Sequence, residues 1–160
     1  MKSKFLLFSV AALIALQASA QHPGKIQKTG QVLLPNGWKL SPAGASMRLG
    51  DLPLNIQLSA SGRLLAVTNN GQSTQSIQLI DPKNQKLLDE RIIKKSWYGL
   101  AFSHDEKMLY ASGGNDNLIV AYHIAGNKIG AADTIKLAPH AWDKNKVCPT
   151  GIAVNRGNTR

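Results

Sequence analysis

Two stretches decide the fold: Leu58-Ser59-Ala60-Ser61-Gly62-Arg63-Leu64-Leu65-Ala66-Val67-Thr68-Asn69, and Phe102-Ser103-His104-Asp105-Glu106-Lys107-Met108-Leu109-Tyr110-Ala111-Ser112-Gly113, 44 residues later. Each starts on an apolar residue, crosses a polar turn and enters a short β-rich run. Side chains alternate between faces along a strand, so Leu64, Ala66 and Thr68 share one face while Leu65 and Val67 share the other. Both faces are apolar, which is the pattern of a strand covered on both sides.

Working outward, each stretch sits inside the same four-run order. Asn55 to Leu58, Arg63 to Thr68, Ser76 to Ile80 and Lys86 to Ile93 are separated by turn residues such as Asn69-Asn70-Gly71 and Asp81-Pro82. The order begins again with Gly99 to Phe102, Lys107 to Ser112, Leu118 to Tyr122 and Lys128 to Leu137. Gly151-Ile152-Ala153-Val154-Asn155 opens a third copy, with Val154 52 residues after Phe102. Strands are predicted at 55–58, 63–68, 76–80, 86–93, 98–102, 107–112, 118–122 and 128–137, with no helix of three turns in 52–137.

A four-strand unit of about 40–45 residues is the size of a β-propeller blade. One such sheet cannot cover both of its faces, so blades stack around an axis and bury one another. The predicted fold is therefore all-β: a partial β-propeller over 52–160, with complete blades at about 53–94 and 97–137 and a third opening at 149. An open sandwich of about nine strands is the alternative. Repetition at blade length favours the propeller.

Before the repeat, Met1 to Ala20 reads as a secretory signal: Lys2 and Lys4, the apolar Phe5 to Leu16, then Ala18-Ser19-Ala20. The apolar stretch is shorter than the ~20 residues of a spanning helix. A mature chain starting near Gln21 would be periplasmic or secreted, with no membrane span. Residues 21–51 form a leader in which Val32-Leu33-Leu34 and Trp38-Lys39-Leu40 flank an Asn36-Gly37 hairpin turn. This leader is expected to supply outer strands that close the last blade of a complete ring.

The chain has 160 residues, 43% of them apolar, and a net charge of +10. One cysteine, Cys148, excludes an internal disulfide framework and reads as a small semi-buried apolar residue. The signatures of zinc proteases, serine hydrolases and phosphate-binding loops are all missing. His22, His104, His123 and His140 are scattered, without metal-ligand spacing. Asp105 and Asp116 read as turn formers. No cofactor and no catalytic residue is assigned.

Leu65-Ala66-Val67-Thr68-Asn69, Leu79-Ile80-Asp81, Leu109-Tyr110-Ala111-Ser112-Gly113 and Pro149-Thr150-Gly151-Ile152-Ala153 resemble the YVTN-type β-propeller repeat family over Leu52 to Asn155. The leader, with Leu34-Pro35-Asn36-Gly37-Trp38, Ser41-Pro42-Ala43-Gly44 and Leu49-Gly50-Asp51-Leu52-Pro53, is similar to the start of exported bacterial proteins that fuse such a propeller to a phosphoesterase of alkaline-phosphatase type. The resemblance implies an N-terminal fragment, with metal ligands and nucleophile beyond Arg160. Trp97 and Tyr98 stand where the family prefers Pro-x, His104 replaces a turn proline, and His123 replaces a strand-ending Asp.

Three functions are open. The first is a non-catalytic exported module that binds a ligand or protein at the channel face. The second is the accessory part of a phosphoesterase. The third is a basic binder of anionic polymers, for which Lys94-Lys95 with Trp97-Tyr98 is the one basic-aromatic cluster; no nucleic-acid partner is expected, because the other lysines are dispersed. Leu54, Tyr98 and Thr150 are equivalent positions just before an innermost strand. The insertion Ala138 to Cys148 enters the next innermost strand from the same side. The ligand-binding candidates are therefore Tyr98, His140, Trp142, Asp143 and Lys144.

Overall fold

The computed structural model describes residues 30–137 and 148–157. The signal segment 1–20 and the candidates His140, Trp142, Asp143 and Lys144 lie outside the described residues. The chain divides into two compact units between Ser46 and Met47.

In the first unit, β1 (Val32–Leu33) pairs antiparallel with β2 (Lys39–Leu40), and neither strand pairs with any other. The hairpin forms where expected, but its turn is one residue longer than an Asn-Gly turn. The Gly37 amide donates to the Leu34 carbonyl at 2.9 Å, so Pro35 and Asn36 hold the central positions. Proline's fixed φ suits the first of these. Gly37, at φ +85, takes the left-handed residue that follows.

The second unit holds two four-stranded antiparallel sheets, each a meander in chain order. Blade 1 contains β3 (Pro53–Leu58), β4 (Leu65–Asn69), β5 (Ser76–Asp81) and β6 (Lys86–Ile92). Blade 2 contains β7 (Leu100–Phe102), β8 (Met108–Ser112), β9 (Leu118–Ala125) and β10 (Lys128–Lys136). A single 3-10 turn, Gly114–Asp116, is the helical element among the described residues. The architecture is all-β, a partial β-propeller.

The repeat holds down to single hydrogen bonds. Ser59 N–H donates to the Leu64 carbonyl and Ser103 N–H to that of Met108, at 2.8 and 2.9 Å. The Leu64 and Met108 amides return to the Ser59 and Ser103 hydroxyls at 3.1 and 2.9 Å. Gly62 and Glu106, also 44 residues apart, both take positive φ, +73 and +59.

Strand ends shift by one to three residues from expectation, and two of these shifts bear on the site and the turns. β7 begins at Leu100, not at 98, leaving Trp97 and Tyr98 in the connection. β9 runs to Ala125 instead of stopping at 122. In blade 1 the Asp81 carboxylate accepts the Lys83 and Asn84 amides at 2.9 and 3.1 Å, which closes the strand. The Asn84 side-chain amide, 2.7 Å away, is the main reason the Asp81 carboxyl titrates below its usual range. His123 occupies the matching place in blade 2. Here the ladder continues to a two-residue Gly126-Asn127 turn, with Gly126 at φ +60.

The core lies between the two sheets. Leu64, Ala66, Ile77 and Leu79 of blade 1 meet Leu100, Leu109, Ala111, Tyr122, Ile124 and Ile129 of blade 2. Burial pushes the Tyr122 phenol pKa up. Residues 148–157 carry no paired strand. Their Ile152 nevertheless lies tight over β7: a Cβ on Gly99 would sit 2.9 Å from Ile152 Cγ1. Glycine lets the third copy approach the second there.

Candidate functional site

The connection from β6 to β7, residues 93–99, carries the described candidate. Tyr98 is 53% exposed and Trp97 44%. The Tyr98 carbonyl accepts the Asn55 side-chain amide at 2.6 Å, so blade 1 fixes the backbone that presents both rings. Of the two positions equivalent to Tyr98, Leu54 is half-buried and Thr150 exposed. Neither offers an aromatic surface.

Beside Trp97 the connection bounds a crevice of about 210 Å³, lined by Asn70, Gln75, Lys95, Ser96, Gly114 and Asn115. Three separate segments build it: the β4–β5 turn, the connection itself and the 3-10 turn between β8 and β9. Lys95 Nζ sits 2.6 Å from Asp116 Oδ1, so its charge is already answered within the protein. The Ser96 amide donates to Gln75 Oε1 at 2.7 Å. Ser96 itself is 4% exposed, and its hydroxyl has no hydrogen-bond partner among the described residues. Most buried polar groups are paired, and one left alone beside a cavity is a place for a ligand atom or water.

A second groove, of about 370 Å³, runs at the other end of the inner strands, along Leu58, Phe102, His104 and 152–156. Among the described residues no group of His, Cys, Asp and Glu is placed to hold a metal ion. Cys148 is free and half-buried, in line with its reading as a small apolar residue.

Of the five sequence candidates, Tyr98 alone falls in the described residues. Asn70, Gln75, Ser96 and Asn115 were not singled out in the sequence. Ordinary turn residues at distances of 5 to 45 positions carry no motif, and only the stacking of two blades brings them together.

No protein-family model matches the chain, and no curated protein matches it in sequence. Among solved structures it is similar to Kuenenia stuttgartiensis hydrazine synthase, with 18% identity and a TM-score of 0.54 over 72% of this chain and 30% of that one. It is also similar to the periplasmic gluconolactonase PpgL of Pseudomonas aeruginosa, at 22% identity, TM-score 0.43, over 68% of this chain and 34% of that one. The likeness to hydrazine synthase supports the β-propeller fold. The chain spans about a third of each neighbour's length.

Proposed function

We propose that the chain is a non-catalytic β-propeller module of the YVTN type, exported to the periplasm or beyond, that binds a ligand or protein at the face carrying the blade connections. One observation carries this reading: Trp97 and Tyr98 are held out to solvent by a hydrogen-bonded connection, beside a polar crevice. Amphipathic aromatic rings on a rigid backbone supply contact area at low entropic cost. The insertion 138–148, with His140, Trp142, Asp143 and Lys144, would extend the same surface. The dispersed positive charge supports a polyanion partner less well, because Lys95 of the one basic-aromatic cluster is paired with Asp116.

The accessory role beside a phosphoesterase is the second reading. It draws on the leader's sequence, which forms a hairpin. Closure of a ring by that hairpin belongs to the same proposal. A coding frame that continues past Arg160 into phosphoesterase metal ligands would establish it.

For the first reading, a photo-cross-linking side chain at position 98 in cells is expected to capture a defined partner. The same group at Asn84, in the exposed β5–β6 turn, should capture none. Equal labelling from both positions, or none from 98, would refute it.

A further inference from the structure

We propose that the crevice between the blade connections binds a single neutral sugar ring. This deepens the reading of the connection face as a binding surface and rests on it.

The polar groups of the crevice match a polyhydroxylated ligand. Asn70, Gln75 and Asn115 present side-chain amides, which donate and accept at once, as does the Ser96 hydroxyl. Each sugar hydroxyl also donates and accepts, so amides can hold adjacent pairs of them. Gln75 spends its carbonyl oxygen on the Ser96 amide. The buried Ser96 hydroxyl has no partner among the described residues. An apolar ligand would leave it unsatisfied, which is unfavourable.

Charge disfavours the anionic classes. Lys95, the cation lining the crevice, is held at 2.6 Å by Asp116, so a phosphate or carboxylate would meet a positive charge already neutralised and a carboxylate beside it. Trp97 adds a flat apolar surface at the rim, where the C–H face of a sugar can stack while its hydroxyls reach inward. Size fits too. About 210 Å³ is the room of roughly seven waters at ~30 Å³ each. That suits one hexose and falls short of the ~300 Å³ where drug-sized pockets begin.

The test follows the side-chain amide resonances of Asn70, Gln75 and Asn115 and the Trp97 indole in the full chain. The probes are D-glucose, D-galactose and N-acetyl-D-glucosamine, with sodium phosphate for comparison. At least one sugar should produce saturable shifts confined to these groups, and phosphate should not. Ser96→Ala, which removes the hydroxyl and adds no atom, and Trp97→Ala, at an exposed position, should each weaken that binding at least tenfold. Should the Ser96 variant fail to fold, Trp97→Ala decides alone.

No saturable shift with any of the three sugars overturns the proposal. So do phosphate shifts of equal size, or undiminished binding by a folded variant. Specific cross-linking from position 98 without any sugar response would defeat the sugar ring and leave the binding module standing. Sugar binding without cross-linking would do the reverse to the partner reading.

Discussion

Glu106 holds a left-handed backbone conformation, φ +59, where the equivalent residue of blade 1 is Gly62. A non-glycine residue there costs roughly 1–2 kcal/mol. Its side chain explains why that cost is tolerated. The carboxylate accepts the Ser61 amide and the Ser61 hydroxyl, the latter at 3.0 Å, and Arg63 Nη2 lies 3.8 Å away. The turn of blade 2 is thus fastened to the same turn of blade 1. The Ser61 amide is the main cause holding the Glu106 carboxyl below its ordinary value of 4.5, against an opposing effect of burial. A lowered folded pKa means that the ionised latch stabilises fully above about pH 4.5. That contribution is lost as pH falls through the lowered value. Glu106→Ala keeps the backbone cost and removes the latch, so it should destabilise by about 1–2 kcal/mol at pH 7 and progressively less as pH falls below 4.5, read from urea midpoints. Glu106→Gly also removes the latch but relieves the backbone, so it should be about 1 kcal/mol more stable than the alanine variant. A glycine variant no better than alanine would mean that the φ strain is negligible.

The outer strands have a fastening of their own, at a bulge. Between Ile129 and Ala132 the pairing of β10 with β9 slips. Asp89 of β6 accepts the Ile129 amide at 2.8 Å, and Arg91 Nε donates to the Ile129 carbonyl at 2.8 Å. Burial raises the Asp89 carboxyl, but the Ile129 and Glu90 amides and the nearby Lys128 outweigh it, so the net shift is downward. Asp89→Ala should leave the Ile129 amide under-satisfied and destabilise by about 1–3 kcal/mol, measured by chemical denaturation. An unchanged midpoint would show that water replaces the carboxylate at no cost. None of this fastening was legible in the sequence, whereas the strands it joins were. Alternation and turn residues mark strands locally, and Ser59 and Ser103 mark the turns in register. β9's extension past Tyr122 was not legible, because it depends on what His123 fails to do: a strand-ending Asp closes the ladder through its own carboxylate. The crevice was hidden for a different reason. Tyr98 and Trp97 stand out as exposed aromatics in a polar connection, but Ser96, Gln75 and Asn70 become neighbours only when two blades stack.

At the scale of the whole molecule, the two blades are not equivalent in what covers them. Leu100 and Phe102 of β7 face blade 1, and Leu100 is 2% exposed. The residues 44 positions earlier, Ile56 and Leu58 of β3, point to the corresponding side of blade 1 and are 52% and 57% exposed. The sequence conserves an apolar docking edge at both places, yet only one is occupied. Exposed aliphatic residues gain about 1.5–3 kcal/mol each when fully buried. A partially covered edge of this kind therefore favours contact with another sheet, and repeat proteins depend on such neighbour interfaces for stability. The isolated chain should accordingly self-associate through this edge. Substituting Ile56→Lys and Leu58→Lys together should shift sedimentation toward the monomer at concentrations where the parent forms larger species. Because both positions are half exposed and away from the inter-blade core, the fold itself should lose less than about 1 kcal/mol. A parent that sediments as a monomer throughout, or a double variant that associates as strongly, would show that this edge is not what the chain uses to find its neighbours.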